Sequence, residues 1–122
     1  MKIAIALLIV TTIVAVAQEQ TGEPAPRISA SRAATSVDQA VCVTGKVAQV
    51  SIREKLVYLN LDKPFPDMPL TCVIFARNTN QFELMSLKGR EVEITGRVTE
   101  FKGKPQIILT SSNQLKVLEG AK

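Results

Sequence analysis

The sequence contains no histidine and no tryptophan, and its 122 residues include one tyrosine and four phenylalanines. Without histidine, a chain loses the commonest general base and the commonest metal ligand together. A glycine-rich phosphate loop, a serine–histidine pair and a metal-spaced cluster are also missing. Glu91 and Glu93 lie two apart on a predicted strand, so both point the same way at a separation of ~6.5–7 Å. Paired carboxylates can perform acid–base chemistry. Beside Arg97, however, these two read as a solvated strand face. Asp62, Asp67 and Glu54 are too scattered to build the carboxylate–metal site that a nuclease of this size would need. The residues point to a binding module without cofactor or metal, not to an enzyme.

Charge is also sparse. Fifteen basic residues face 11 acidic ones, a formal net of +4, which permits a polyanionic partner without demanding one. After Met1-Lys2, residues Ile3 to Val16 carry no charge, and Ala15-Val16-Ala17 has the small-x-small form of a signal-peptidase site. The run is short of the ~20 residues that cross a bilayer, and the polar Gln18-Glu19-Gln20 after it holds no basic stop signal. The expectation is a signal peptide over 1–17, export to the periplasm or beyond, and no membrane anchor after cleavage. Residues 18–28, with Gly22, Pro24 and Pro26, read as a flexible linker. Residues 29–118 form the one domain that the remaining length can support, and 119–122 are a tail.

In an exported chain the two cysteines, Cys42 and Cys72, form a candidate disulfide closing a loop of about 30 residues. The alternative is two small buried hydrophobes. Strand geometry decides between them.

Along the domain, Ser29 to Asp38 suggests a short N-terminal helix with Ala30, Ala33, Ala34 and Val37 on one face. Val41, Val43, Gly45 and Val47 then alternate with Cys42, Thr44 and Lys46, the period of a half-buried strand. Val50 and Ile52 fall one residue out of step, which predicts a β-bulge. A second strand runs from Leu56 to Leu61, with Tyr58 and Asn60 outward. Three prolines make Asp62 to Pro69 a loop. Leu70 to Phe75 is a strand buried on both faces, and Phe82 to Leu87 a short helix stopped by Gly89. Val92, Ile94, Gly96 and Val98 mark a fourth strand, Phe101 to Lys104 a turn, Gln106 to Leu109 a fifth strand, and Ser111 to Val117 a short return. The stretches around Gly45 and Gly96 repeat one another weakly at an offset of 51 residues. This order of strands and helix, with strands one and four equivalent, is that of an all-β, five-stranded Greek-key OB barrel.

The motifs Val43-x-Gly45-x-Val47, Tyr58-Leu59-Asn60-Leu61, Val73-Ile74-Phe75, Val92-x-Ile94-x-Gly96-x-Val98 and Gly103-Lys104-Pro105-Gln106-Ile107-Ile108-Leu109 resemble small bacterial OB-fold proteins of the nucleic-acid-binding, tRNA-anticodon-binding-like type, several of them exported. The resemblance covers about Ser29 to Leu118. Asp38 stands where that pattern often has a glycine, and the cysteine pair is not general to it.

An OB barrel binds with the outer face of strands two and three and the loops beside it. Single strands call for an aromatic that stacks bases among cations that follow phosphates. Tyr58 and Asn60 are the outward candidates, with Arg53, Lys55, Lys63, Arg77, Lys102 and Lys104 as the basic rim. Phe65 serves either as a second stacking ring or as a plug closing the barrel end. The opposing reading is ordinary surface lysines and a tyrosine covering the barrel edge. Two functions follow. The resemblance implies weak binding of single-stranded DNA or RNA. The compartment favours an envelope module that binds a protein or small ligand. The sequence leaves the oligomeric state open.

Overall fold

The structure, a computed structural model, describes residues 25–118. The expected signal peptide, most of the expected linker and the 119–122 tail lie outside these residues. The strands are β1 (Arg27–Ser29), β2 (Ala40–Ile52), β3 (Leu56–Leu61), β4 (Leu70–Phe75), β5 (Glu91–Arg97), β6 (Thr99–Phe101), β7 (Lys104–Leu109) and β8 (Leu115–Val117). They form one mostly antiparallel sheet in the order β6-β7-β4-β3-β2-β5-β8, with β1 added in parallel to β2. Only Val98 separates β5 from β6, so the path that leaves β2 through β3, β4 and β7 returns to its start through β6. The sheet is therefore closed on itself.

Eight strands replace the expected five for local reasons. The predicted fourth strand is broken at Val98, whose amide donates to Gln39 O while its carbonyl accepts from Asp38 N. The short segments β1 and β8 pair at the margins, and β1 takes in Arg27 and Ile28 from the expected linker. The bulge lies where the slipped pattern placed it. Val47 pairs with Leu61 but Gln49 with Asn60, so Ala48 is the extra residue that bends β2 from one partner to the other. Asp38, at the position where the resembling pattern often has glycine, adopts φ 72°, a left-handed conformation that aspartate tolerates better than most residues.

Both expected helices prove to be 3-10 helices. In Ala30–Ser36 the buried residues are Ala30, Ala33 and Ser36, a spacing of three that belongs to the tighter helix, and Ala34 is exposed. Between β4 and β5 there are two such pieces, Ala76–Gln81 and Leu84–Ser86, split at the extended Phe82. Thr79 and Ser86 donate their hydroxyls to carbonyls three residues back, at 2.9 and 3.0 Å. Such local bonds compete with an α-helical ladder.

Alternate strand residues fill the interior. Val50, Leu59, Cys72 and Ile107 form one row across β2, β3, β4 and β7. Val57, Ile74 and Leu109 form another. Gly45 and Gly96 share the inner parity, and each marks a close approach. A Cβ on Gly45 would lie 3.2 Å from the Cβ of Ala30, where the first 3-10 helix docks on the strand. A Cβ on Gly96 would lie 2.8 Å from Ile107 Cγ2.

Both thiols are free, which corrects the candidate disulfide. Val41 and Val43 belong to the interior, so Cys42 between them faces outward, with the Arg27 guanidinium 4.0 Å from its sulfur. Cys72 belongs to the interior cluster, on the other side of the barrel wall. Burial pushes the Cys72 thiol up to about 12, so its nucleophilic thiolate is suppressed. The native protein is expected to have the same mass with and without reductant, and Cys72 to take up a thiol reagent at neutral pH only on unfolding. A species lighter by two hydrogens under oxidising conditions would contradict this arrangement.

Candidate functional site

Residues facing away from the core also line up in rows. Gln49, Asn60, Thr71 and Gln106 stand side by side across β2, β3, β4 and β7. Ser51 and Tyr58 pair in the next row, opposite Val73. These rows form the floor of a cleft of about 380 Å³, in the size range of sites that bind small molecules or single bases. Its walls come from two loops that reach over the sheet. The proline loop after β3 contributes Phe65 and Met68, and the β6–β7 hairpin contributes Phe101, Lys102 and Lys104. Lys102 and Gly103 have φ of 53° and 79°, which turns the hairpin in two residues.

The floor is tied to one wall by hydrogen bonds. Thr71 Oγ1 donates to Asn60 Oδ1 at 2.8 Å, and Asn60 Nδ2 donates to Gln49 Oε1 at 2.7 Å. The backbone N–H of Phe65 donates to the same Gln49 oxygen at 2.9 Å, fastening the proline loop to the sheet. Lys104 Nζ donates to Pro66 O at 3.1 Å and joins the two walls. Both loops are thereby held against the same face.

The predicted site residues divide between cleft and periphery. Tyr58, Arg53, Lys102 and Lys104 line the cleft. Asn60 lines it too, but is 3% exposed, with its amide used within the floor, so its place is structural. Lys55, Lys63 and Arg77 are not among the lining residues. Arg77 lies over the Phe75 ring at 5.5 Å, away from the cleft lining. Phe65 is 68% exposed and therefore no plug. The sequence suggests Phe101 only as part of a turn. It is 57% exposed at the cleft wall, with Lys102 Nζ 5.4 Å from its ring. Gln49 is likewise missing from the sequence-based candidates. Its signal is the bulge, which turns Gln49 and Ser51 onto the same face as Asn60 and Tyr58.

Glu91 and Glu93 are half-buried, not on an open solvent face. Glu93 pairs with Arg27 at 2.5 Å, and Arg97, expected beside these carboxylates, donates to Asp38 O. Across the sheet Glu93 is opposite Thr44 and Glu91 opposite Lys46. The pair belongs to the packing of β1 and β2 against β5.

No protein-family model and no curated protein sequence matches the chain. Solved structures share its fold. An OBody bound to hen egg-white lysozyme is similar with a TM-score of 0.57 and 16% identity, over 80% of this chain and 97% of its own. Asparaginyl-tRNA synthetase from Entamoeba histolytica gives 0.54 and 19% identity, over 80% of this chain and 24% of the synthetase. The S. pombe Stn1–Ten1 complex gives 0.52 and 18%, over 66% of this chain and 58% of that one. The chain thus spans under two thirds of the latter two. Likeness at these identities concerns architecture, and the architecture is an OB-like β-barrel.

Proposed function

We propose that this domain is an exported binding module that takes single-stranded nucleic acid into the cleft on its outer barrel face. One observation carries the reading: three aromatic rings, Tyr58, Phe65 and Phe101, and three cations, Arg53, Lys102 and Lys104, surround the same cleft. Aromatic rings stack bases of any identity, and cations beside them follow the phosphates. Export rests on the uncharged run from Ile3 to Val16 and the Ala15-Val16-Ala17 site. Binding is preferred to catalysis because the chain has no histidine and its acidic pair, Glu91 and Glu93, is engaged with β1 and β2. A second reading, an envelope module for a small ligand or protein, is favoured by the compartment and by a cleft volume ordinary for small molecules.

Fluorescence anisotropy with labelled oligo-dT distinguishes the two. Three cations at about 0.7 counterion each predict a log–log slope of affinity against salt near −2. Had all the predicted lysines and arginines shared one surface, the slope would be steeper. Oligo-dT that fails to bind at low salt and high micromolar protein would leave the small-ligand reading in its place.

A further inference from the structure

A second group of cations gathers where β2 bends. Lys46 and Val47 precede the bulge, and the neighbouring chain on each side is tied to them by backbone hydrogen bonds. On one side Asp62 N–H donates to Lys46 O at 2.6 Å, which places Lys63, at the root of the proline loop, beside β2. On the other, Gly89 N–H donates to Val47 O at 2.7 Å and Val47 N–H to Arg90 O at 2.9 Å, which holds Lys88 and Arg90 against the same stretch. Hydrogen-bonded chains lie about 4.8 Å apart, so Lys46, Lys63, Lys88 and Arg90 issue from three adjacent backbones. All four are exposed, and none lines the cleft. The one ion pair among the described residues joins Arg27 to Glu93, so none of the four has a carboxylate of that set at ion-pairing distance. Two carboxylates are near. Asp62 Oδ1 accepts from Lys46 N–H at 3.1 Å, and half-buried Glu91 is opposite Lys46 across the sheet. Four cations against these two leave a surplus of positive charge, whose mutual repulsion a polyanion relieves.

The group also adjoins the cleft. Lys46 is three residues from Gln49 on β2, about 10 Å at the usual strand rise. The proline loop follows β2 over that interval, from Asp62 at Lys46 to Phe65 at Gln49. The same loop forms a cleft wall with Phe65 and Met68. We propose that Lys46, Lys63, Lys88 and Arg90 form a second phosphate-binding surface, which carries a single strand onward from the cleft past the proline loop. This surface rests on the single-strand reading above and extends it. Rings in the cleft hold bases, whereas 46–47, 62–63 and 88–90 include no aromatic residue and hold phosphates alone. A short oligomer fills only the cleft; a longer one reaches both surfaces.

Salt dependence separates the two surfaces. A long oligo-dT, of roughly 16 nucleotides, is expected to show a log–log slope near −5, for seven cations at about 0.7 counterion each. A short one, of about 4 nucleotides, keeps the slope near −2 of the cleft alone. A fourfold variant carrying Lys46→Gln, Lys63→Gln, Lys88→Gln and Arg90→Gln should return the long oligomer to a slope of about −2 and leave that of the short one where it was. All four positions are exposed, so its melting temperature should change little. A control variant, Lys55→Gln with Arg77→Gln, removes cations from outside both surfaces. It should keep the parent's slope for the long oligomer. Comparison at one oligomer length keeps the end effects of short strands out of the result. A long-oligomer slope that the fourfold variant leaves unchanged, or that the control lowers as much per charge, overturns the second surface and leaves the cleft reading standing. Capture of the parent by phosphatidylglycerol vesicles, lost in the fourfold variant while the long-oligomer slopes agree, gives the cations to a membrane surface and overturns it too. Failure of every oligomer to bind the parent removes both readings.

Discussion

A variant carrying both Tyr58→Ala and Phe101→Ala is expected to bind oligo-dT at least ~30-fold more weakly than the parent domain. Each stacked ring contributes about 1–3 kcal/mol, so two independent rings are worth roughly 2–6 kcal/mol. The pair is chosen because the rings come from different parts of the site. Tyr58 stands on β3, fixed by its pairing with Ser51 and Val73. Phe101 ends β6, where the hairpin stands over the same face. Neither belongs to the interior cluster, and substitutions away from the core change stability little, so thermal unfolding of the double variant should stay close to that of the parent. Met85, 89% exposed in the connection between β4 and β5 and absent from the cleft lining, provides the control. Its replacement by alanine should leave affinity unaltered. Equal affinity of the double variant and the parent would remove the aromatic cleft from the binding surface.

The prominence of Phe101 in this experiment shows where the sequence is legible and where it is not. Strand periodicity locates β3 to the residue and the slip after Val47 locates the bulge, because both are imposed by a side-chain period of two, while a near-continuous apolar run locates β4. The outward direction of Tyr58 follows from the same period. Parity also holds for Cys42, set between Val41 and Val43, but a strand buried on both faces conceals it for Cys72. The disulfide therefore stays open until the two faces can be seen. The cleft walls are beyond the reach of periodicity. Phe65, in the proline loop, and Phe101, at the end of β6, are 36 positions apart, and they come together through Lys104 bonding to Pro66 and the Phe65 amide bonding to Gln49. Those are long-range hydrogen bonds that no local pattern encodes. The same limit explains why the sequence groups Lys55, Lys63 and Arg77 with the cleft: a turn's basic character is local, but the direction it faces is set by the closed barrel. Asn60 is on the outer face as its parity requires, and its burial there becomes apparent only with Gln49 and Thr71 on either side.

The second large effect concerns stability and joins the two halves of the barrel. Ile107 on β7 is fully buried and paired with Cys72 of β4. Truncation to alanine removes its outer carbons from the interior and leaves a void, at an expected cost of about 2–5 kcal/mol. That is a large share of the roughly 5–15 kcal/mol by which such domains are stable. Gly96→Ala acts on the same contact from the other side. The new Cβ would lie 2.8 Å from Ile107 Cγ2, inside normal contact distance, and the side chain must shift within a closed core. Overpacking of this kind costs about 1–3 kcal/mol. Two changes at one contact are not additive. In the Ile107→Ala background the methyl at position 96 enters space that the truncation has vacated. The double variant should therefore be more stable than the summed single effects by about 0.5–3 kcal/mol, as measured by urea unfolding with unchanged m-values. Strict additivity would mean that Gly96 answers to Gln114 Nε2, 3.1 Å from the same Cβ, or to the coiling of β5, and not to the approach of Ile107.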